Sequence, residues 1–221
     1  MDAIIRTMAQ TTETTVASES SAPARPTVLA IWLIIAGVIG WWAAFQLTVE
    51  KFHLLEHPGS KASCDISILV QCGKNLESWQ GSAFGFPNPI IGLTAWMAPV
   101  VVGMAILAGA RFAKWFWVLF WLGFVFAFGF VCWLISQSIF VLLTLCPWCM
   151  VTWAVTIPSF YAVTLHLFRT GVFPVRRRGR EIADRLMAWV PLMAIVSYFI
   201  ILLIAQVRLN AIVNIWQTTF H

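Results

Sequence analysis

Five long apolar stretches, none containing Asp, Glu, Lys or Arg, decide what this chain can fold into. They run over Val28–Val49, Pro89–Ala110, Trp115–Leu143, Pro147–Phe168 and Met187–Val207. About 20 residues of helix cross the ~30 Å hydrocarbon core of a bilayer. Helices are the expected form, because they satisfy their backbone polar groups internally. Composition agrees: 60% of the 221 residues are hydrophobic and 10% are charged, against about 25% charged in a soluble domain. A soluble enzyme and a wholly disordered chain are both excluded. The expected fold is an all-α polytopic membrane protein.

Placing the charges orients it. Ten of the 14 basic residues fall in the N-terminal tail (Arg6, Arg25), between spans two and three (Arg111, Lys114), or between spans four and five (Arg169, Arg176, Arg177, Arg178, Arg180, Arg185). The positive-inside rule puts these segments, and the N-terminus, in the cytoplasm. Residues 1–27, rich in Ser, Thr and Ala, read as a disordered cytoplasmic tail; they lack the ordered regions of a signal peptide. Residues 171–186 form a basic cytoplasmic loop whose charge signals topology and meets anionic lipid, so no nucleic-acid partner is expected. Residues 187–221 give the fifth transmembrane helix and a short outer tail. The loop over residues 50–88 faces outward.

Four of the five cysteines then share the outer, oxidising face, where disulfides persist. Cys146-Pro147-Trp148-Cys149 opens span four. Pro147 suits the first helical position, Cys146 the cap, and the positive helix end favours a thiolate. Taken alone, a Cys-x-x-Cys fits a redox pair, a structural disulfide or half a zinc site. Cys64 and Cys72 lie in the outer loop, where Ile66, Leu69, Val70, Leu76 and Trp79 suggest a short helix lying on the membrane. This pair reads either as a loop staple or, beside a second dithiol, as a shuttle. Cys132, inside span three, reads as a packing residue. So do Gly37, Gly40, Gly103, Gly123 and Gly129, and the aromatics of residues 115–130 read as packing or lipid-facing.

The segments Cys64-Asp65-Ile66-Ser67, Cys72-Gly73 and Ser78-Trp79-Gln80-Gly81-Ser82-Ala83-Phe84-Gly85-Phe86-Pro87-Asn88-Pro89-Ile90-Ile91-Gly92, followed two spans later by Cys146-Pro147-Trp148-Cys149, resemble the vitamin K epoxide reductase family over about residues 30–170. The resemblance implies a four-helix catalytic core, residues 28–170, around a quinone of menaquinone or ubiquinone type, with the fifth helix outside it. It implies that Cys146 and Cys149 form the active-site pair, Cys149 facing the quinone, and that Cys64 and Cys72 form the shuttle. Asn88 matches a position that hydrogen-bonds the quinone oxygen, Ser78 a small hydroxyl residue near the active site and its quinone, Asp65 follows the first loop cysteine as in many relatives, and Trp153, where some relatives have Tyr, is expected to stack on the quinone without offering a hydroxyl. Asn88 before Pro89 also reads as a helix cap, and Ser78 as a polar face of the surface helix.

The activity that the resemblance implies is that of a membrane thiol–disulfide oxidoreductase of the bacterial inner membrane. It would reoxidise a secreted DsbA-like, thioredoxin-fold carrier and pass the electrons to quinone, with no metal. Only Arg208–His221 come after span five, so the fused thioredoxin-like domain of many bacterial relatives is not expected and the carrier would be separate. Two rival readings are a zinc protein using the four outer cysteines as ligands and a transporter, the latter disfavoured by spans without charges.

Overall fold

The computed structural model of the chain describes residues 26–209; nearly all of the expected N-terminal tail, and the outer tail beyond residue 209, lie outside the described residues. Within them the helices run α1 Thr27–Glu56, α2 Gly73–Glu77, α3 Asn88–Ala95, α4 Met97–Leu107, α5 Lys114–Gln137, α6 Pro147–Thr170, α7 Arg177–Ala188 and α8 Val190–Leu209. A 3-10 turn occupies Trp79–Ser82 and a π-turn Ser138–Leu142. Extended pairing among the described residues is limited to one bridge, Val70 with Leu145. Five segments are long and apolar enough to cross a membrane: Thr27–Glu56, Asn88–Leu107, Lys114–Leu142, Pro147–Thr170 and Val190–Leu209. The all-α membrane fold is as expected.

The boundaries differ for local reasons. α1 continues past Val49 through Glu50, Lys51, His53 and Glu56, so its last turns are polar. The second span breaks at Trp96, between α3 and α4. Pro99 explains this: it cannot donate to the carbonyl of Ala95, and its ring crowds that same carbonyl. The third span ends in the π-turn, closed by Thr144 N–H donating to the Ser138 carbonyl (3.1 Å), with Leu143 left-handed at φ 55°. Much of the expected basic loop is the helix α7. Its Ile182–Leu186 and Ala183–Met187 spacings give it an apolar side, Ala183 is buried, and Arg169 pairs with Asp184.

α1 is central, packed on α3 and α4 along one side and α6 along another; α5, α7 and α8 surround α6. Small residues let α1 approach closely: a Cβ on Gly40 would come within 2.3 Å of the Trp96 ring. Gly37 and Gly103 are similarly crowded, but Gly123 and Gly129 face open space, contrary to expectation. Side-chain hydrogen bonds join the helices, Trp32 Nε1 to Ser159 Oγ (3.0 Å) and Trp121 Nε1 to Thr164 Oγ1 (3.0 Å). Cys132 is exposed rather than packed.

The docking of α8 has a specific cause. Pro158 lies inside α6 and cannot donate to the carbonyl of Ala154. The Tyr198 hydroxyl of α8 donates to that carbonyl, and the Tyr161 and Ser197 hydroxyls meet at 2.9 Å. The fifth span thus repairs a defect in the fourth.

Candidate functional site

The surface helix expected over residues 66–79 is reduced to α2 and the 3-10 turn. The Asp65 carboxylate accepts from Cys72 N–H (2.7 Å) and Gly73 N–H (3.0 Å), capping α2 from across the loop. Val70's carbonyl accepts from Ile66 (2.9 Å) and Ser67 (3.1 Å). Leu145 N–H donates to Leu69 (2.8 Å), and Gln71 N–H to Leu145 (3.0 Å). These backbone groups are committed to partners outside a helix, so residues 66–71 cannot form one.

That pairing of residues 69–71 with 145 brings the two cysteine motifs together. Cys64 and Cys72 are joined by a disulfide, with their Cα atoms 5.7 Å apart. Cys146 is the N-cap of α6 with Pro147 at the first helical position, as the motif predicts, and its sulfur accepts from Cys149 N–H (3.3 Å). Cys146 Sγ lies 3.6 Å from Cys72 Sγ. Cys72 and Cys146 are wholly buried, whereas Cys64 retains 8% exposure. Leu47, Leu54 and Leu76 pack around them. The arrangement suits thiol–disulfide exchange, in which a thiolate must touch the sulfur it attacks. Because Cys64 and Cys72 are bonded to each other, they are not two of four thiolate ligands for zinc.

Beside the sulfurs lies a cavity of about 650 Å³ between α3–α4 and α5. It exists because α4 and α5 scarcely touch, each packing instead on the α1–α6 pair. Cys149 and the buried Trp153 border it from α6, and Phe116, Phe120, Phe126 and Phe130 from α5. These four aromatics therefore belong to a cavity wall, a role their sequence pattern did not suggest. The volume lies in the usual range for a small-molecule site, and the apolar wall with few polar groups is the usual lining.

The remaining predicted residues divide. Asn88 borders the cavity but does not cap α3, which starts with Asn88 itself. Its amide folds back on the loop, Nδ2 donating to the Gln80 carbonyl (2.6 Å) and Oδ1 accepting from Ala83 N–H (3.1 Å). Ser78 lies in the loop outside the cavity lining, donating to the Asn75 carbonyl (2.7 Å) and accepting from Gly81 N–H (3.2 Å). Asp65 sits behind Cys72 and holds the loop.

Sequence reasoning missed the clamps. Asn75 donates to Thr144 Oγ1 (3.1 Å) and accepts from Ser138 Oγ (3.3 Å), tying α2 to the π-turn. Lys51 Nζ donates to the Leu76 carbonyl (2.7 Å), and Glu50 accepts from Ser63 N–H (3.1 Å). The signal for the last two was a charged pair directly after an apolar run, which reads first as a helix end leaving the membrane.

The family model for the vitamin K epoxide reductase family matches residues 31–164, more than half of the chain and every cysteine and cavity residue named above. α7 and α8 lie beyond the match. No curated protein matches the chain.

Proposed function

The chain belongs to the vitamin K epoxide reductase family, and from that premise we propose that it carries electrons from a secreted DsbA-like, thioredoxin-fold carrier through two cysteine pairs to a membrane quinone. Membership makes it a multi-pass membrane thiol–disulfide oxidoreductase, in a family that uses quinones. The observation that carries the finer reading is that Cys146 touches Cys72 at 3.6 Å while Cys149 borders the cavity.

In this mechanism the reduced carrier's thiolate attacks Cys64, the more exposed member of the loop pair. The Cys64–Cys72 bond breaks and Cys72 leaves as a thiolate. The carrier's second thiol displaces Cys64 and the carrier departs oxidised. Cys72 then attacks Cys146 of an oxidised Cys146–Cys149 pair, and Cys149 leaves as a thiolate. Cys64 resolves the Cys72–Cys146 bond, which restores the loop disulfide. Cys149, at the cavity wall, gives up the electron pair as the Cys146–Cys149 bond re-forms. A bound quinone of menaquinone or ubiquinone type supplies the two-electron acceptance, and two protons are taken up. Trp153 provides a flat apolar face beside Cys149, Asn88 borders the same cavity, and Asp65 and Ser78 hold the loop that presents Cys72. The basic end faces the cytoplasm of a bacterial inner membrane, and the sulfur end faces outward.

The test is to monitor quinone reduction spectroscopically with two electron donors. Cys149→Ala is expected to lose at least about a thousandfold in rate with either donor while still inserting in the membrane. Cys64→Ala is expected to lose turnover with the carrier but to keep quinone reduction by a small dithiol within about threefold. Full activity of both variants with the carrier would refute the relay.

A further inference from the structure

The fifth span lies outside the residues that the family model matches, yet its outer end reaches the junction of the two cysteine motifs. That junction is the pairing of residues 69–71 with Leu145, a single bridge held by two backbone hydrogen bonds. So short a pairing is marginal by itself. It joins segments far apart in the chain, so side-chain packing has to hold it. Leu69 and Leu145, which share one of the two bonds, are both buried in an apolar cluster with Ile139 of the π-turn and with Ala205 and Leu209 of α8. Leu145 directly precedes Cys146, and Leu69 lies three residues before Cys72. Ala205 is 2% exposed, and its small side chain lets α8 come this close. The Arg208 guanidinium, 5.7 Å from the centre of the Phe140 ring, ties the same end of α8 to the π-turn.

The cluster therefore adds an apolar backing to the polar clamp that Asn75 makes with Thr144 and Ser138. We propose that the outer end of α8 is a positioning element for thiol–disulfide exchange. Ala205 and Leu209, packed in one cluster with Leu69 and Leu145, hold the two paired segments so that Cys72 and Cys146 stay in contact. Neither residue brings a reactive group; each acts through the segments that carry the sulfurs. Exchange requires one sulfur to approach the other closely, and a small misplacement of reacting groups has a large effect. Close packing makes the effect transmissible, because a volume change in a filled cluster displaces the backbone around it. This rests on the relay reading and goes beyond it by giving the fifth span a part in the transfer between the two cysteine pairs.

The test measures how closely the two sulfurs are held and needs no turnover. The full chain in lipid nanodiscs carries Cys64→Ser, Cys132→Ser and Cys149→Ser, which leaves Cys72 and Cys146 of its five cysteines. It is equilibrated with mixtures of reduced and oxidised glutathione. As the Cys72–Cys146 bond closes, one oxidised glutathione takes the two electrons and two reduced glutathiones are released. Alkylation of the remaining thiols gives the equilibrium constant, which reports the effective concentration of one sulfur at the other. Ala205→Leu overfills the cluster and Leu209→Ala empties it, and each should lower that constant at least about tenfold. Leu209→Met conserves volume and should keep it within about twofold. Val163→Phe overpacks a separate cluster and should also keep it within about twofold, although it too lowers stability. A purely structural role for α8 would move all the destabilised variants together. If Ala205→Leu does not fold, Leu209→Ala decides the matter. If the folded α8 variants stay within about twofold of the parent, or if Val163→Phe lowers the constant as far as they do, α8 does not position the junction. If the parent itself forms no Cys72–Cys146 bond in the oxidising mixtures, the relay reading fails, and the part given to α8 falls with it.

Discussion

α5 and α6 lie against each other, and both are apolar enough to cross a membrane, yet they are built for opposite neighbours. Over an 18-residue stretch, the span that α5 opens has a mean hydropathy of 2.5 with 11% of the residues buried; that of α6 has 1.3 with 50% buried. In water the more apolar helix would be the inner one. In a bilayer the solvent is itself hydrocarbon, so lipid accepts α5 without penalty, and the interior position goes to the helix with hydroxyls and sulfurs to satisfy. α6 accordingly brings Cys146 and Cys149 at its start, a run of Thr and Ser hydroxyls along its length, and a proline whose orphaned carbonyl recruits α8. α5 carries a large aromatic surface that faces lipid on one side and the cavity on the other.

The comparison can be put under strain. Val163 of α6 is fully buried, and Leu122 of α5 is 49% exposed. Val163→Phe should overpack the bundle and cost about 1–3 kcal/mol, lowering the thermal midpoint in detergent, while Leu122→Phe should leave that midpoint unchanged. Equal shifts would mean that the two helices do not differ in what they face. Next in size, Tyr198→Phe removes the hydroxyl that serves Ala154. It should cost about 1–2 kcal/mol, the penalty for a carbonyl left unpaired where lipid replaces water, and should increase hydrogen exchange or proteolysis at α8 without abolishing dithiol-driven quinone reduction. No loosening of α8 would sink the repair argument. The smallest effect is expected on α5: Cys132→Ser, at an exposed free thiol, should keep turnover within about twofold. A large loss there would place a fifth cysteine in the relay.

Much of this was legible in the sequence, and what was not has physical reasons. Five spans could be read because a charge in hydrocarbon is so unfavourable that its absence over about 20 residues is informative. The start of α6 could be read because Cys146-Pro147 combines a capping position with a residue that needs no donor. The loop could not, because its shape depends on contacts distant in sequence: the carboxylate of Asp65 on Cys72 and Gly73, and the pairing of Val70 with Leu145. Local periodicity at Ile66, Leu69 and Val70 favoured a helix, and these contacts overrode it. The aromatics of α5 look alike in sequence whether they meet lipid or line a cavity. Nothing in the sequence marked Gln80 as buried, since its partner Gln137 lies two spans further along the chain.

The two backbone hydrogen bonds that join residues 69–71 to Leu145 bear on how the relay would run repeatedly. They fix Cys72 beside Cys146 by main-chain contacts, and the Asp65 carboxylate reinforces this by holding Cys72's own N–H. None of these bonds involves a sulfur. In the proposed relay Cys72 would therefore keep its address when the Cys64–Cys72 bond opens, with Cys64 the member nearer the surface. The loop would then hold a fixed inner contact and offer the carrier the outer one. Each transfer would require a side chain to turn rather than a segment to refold, and the same chain would be ready for the next carrier as soon as the bond closed.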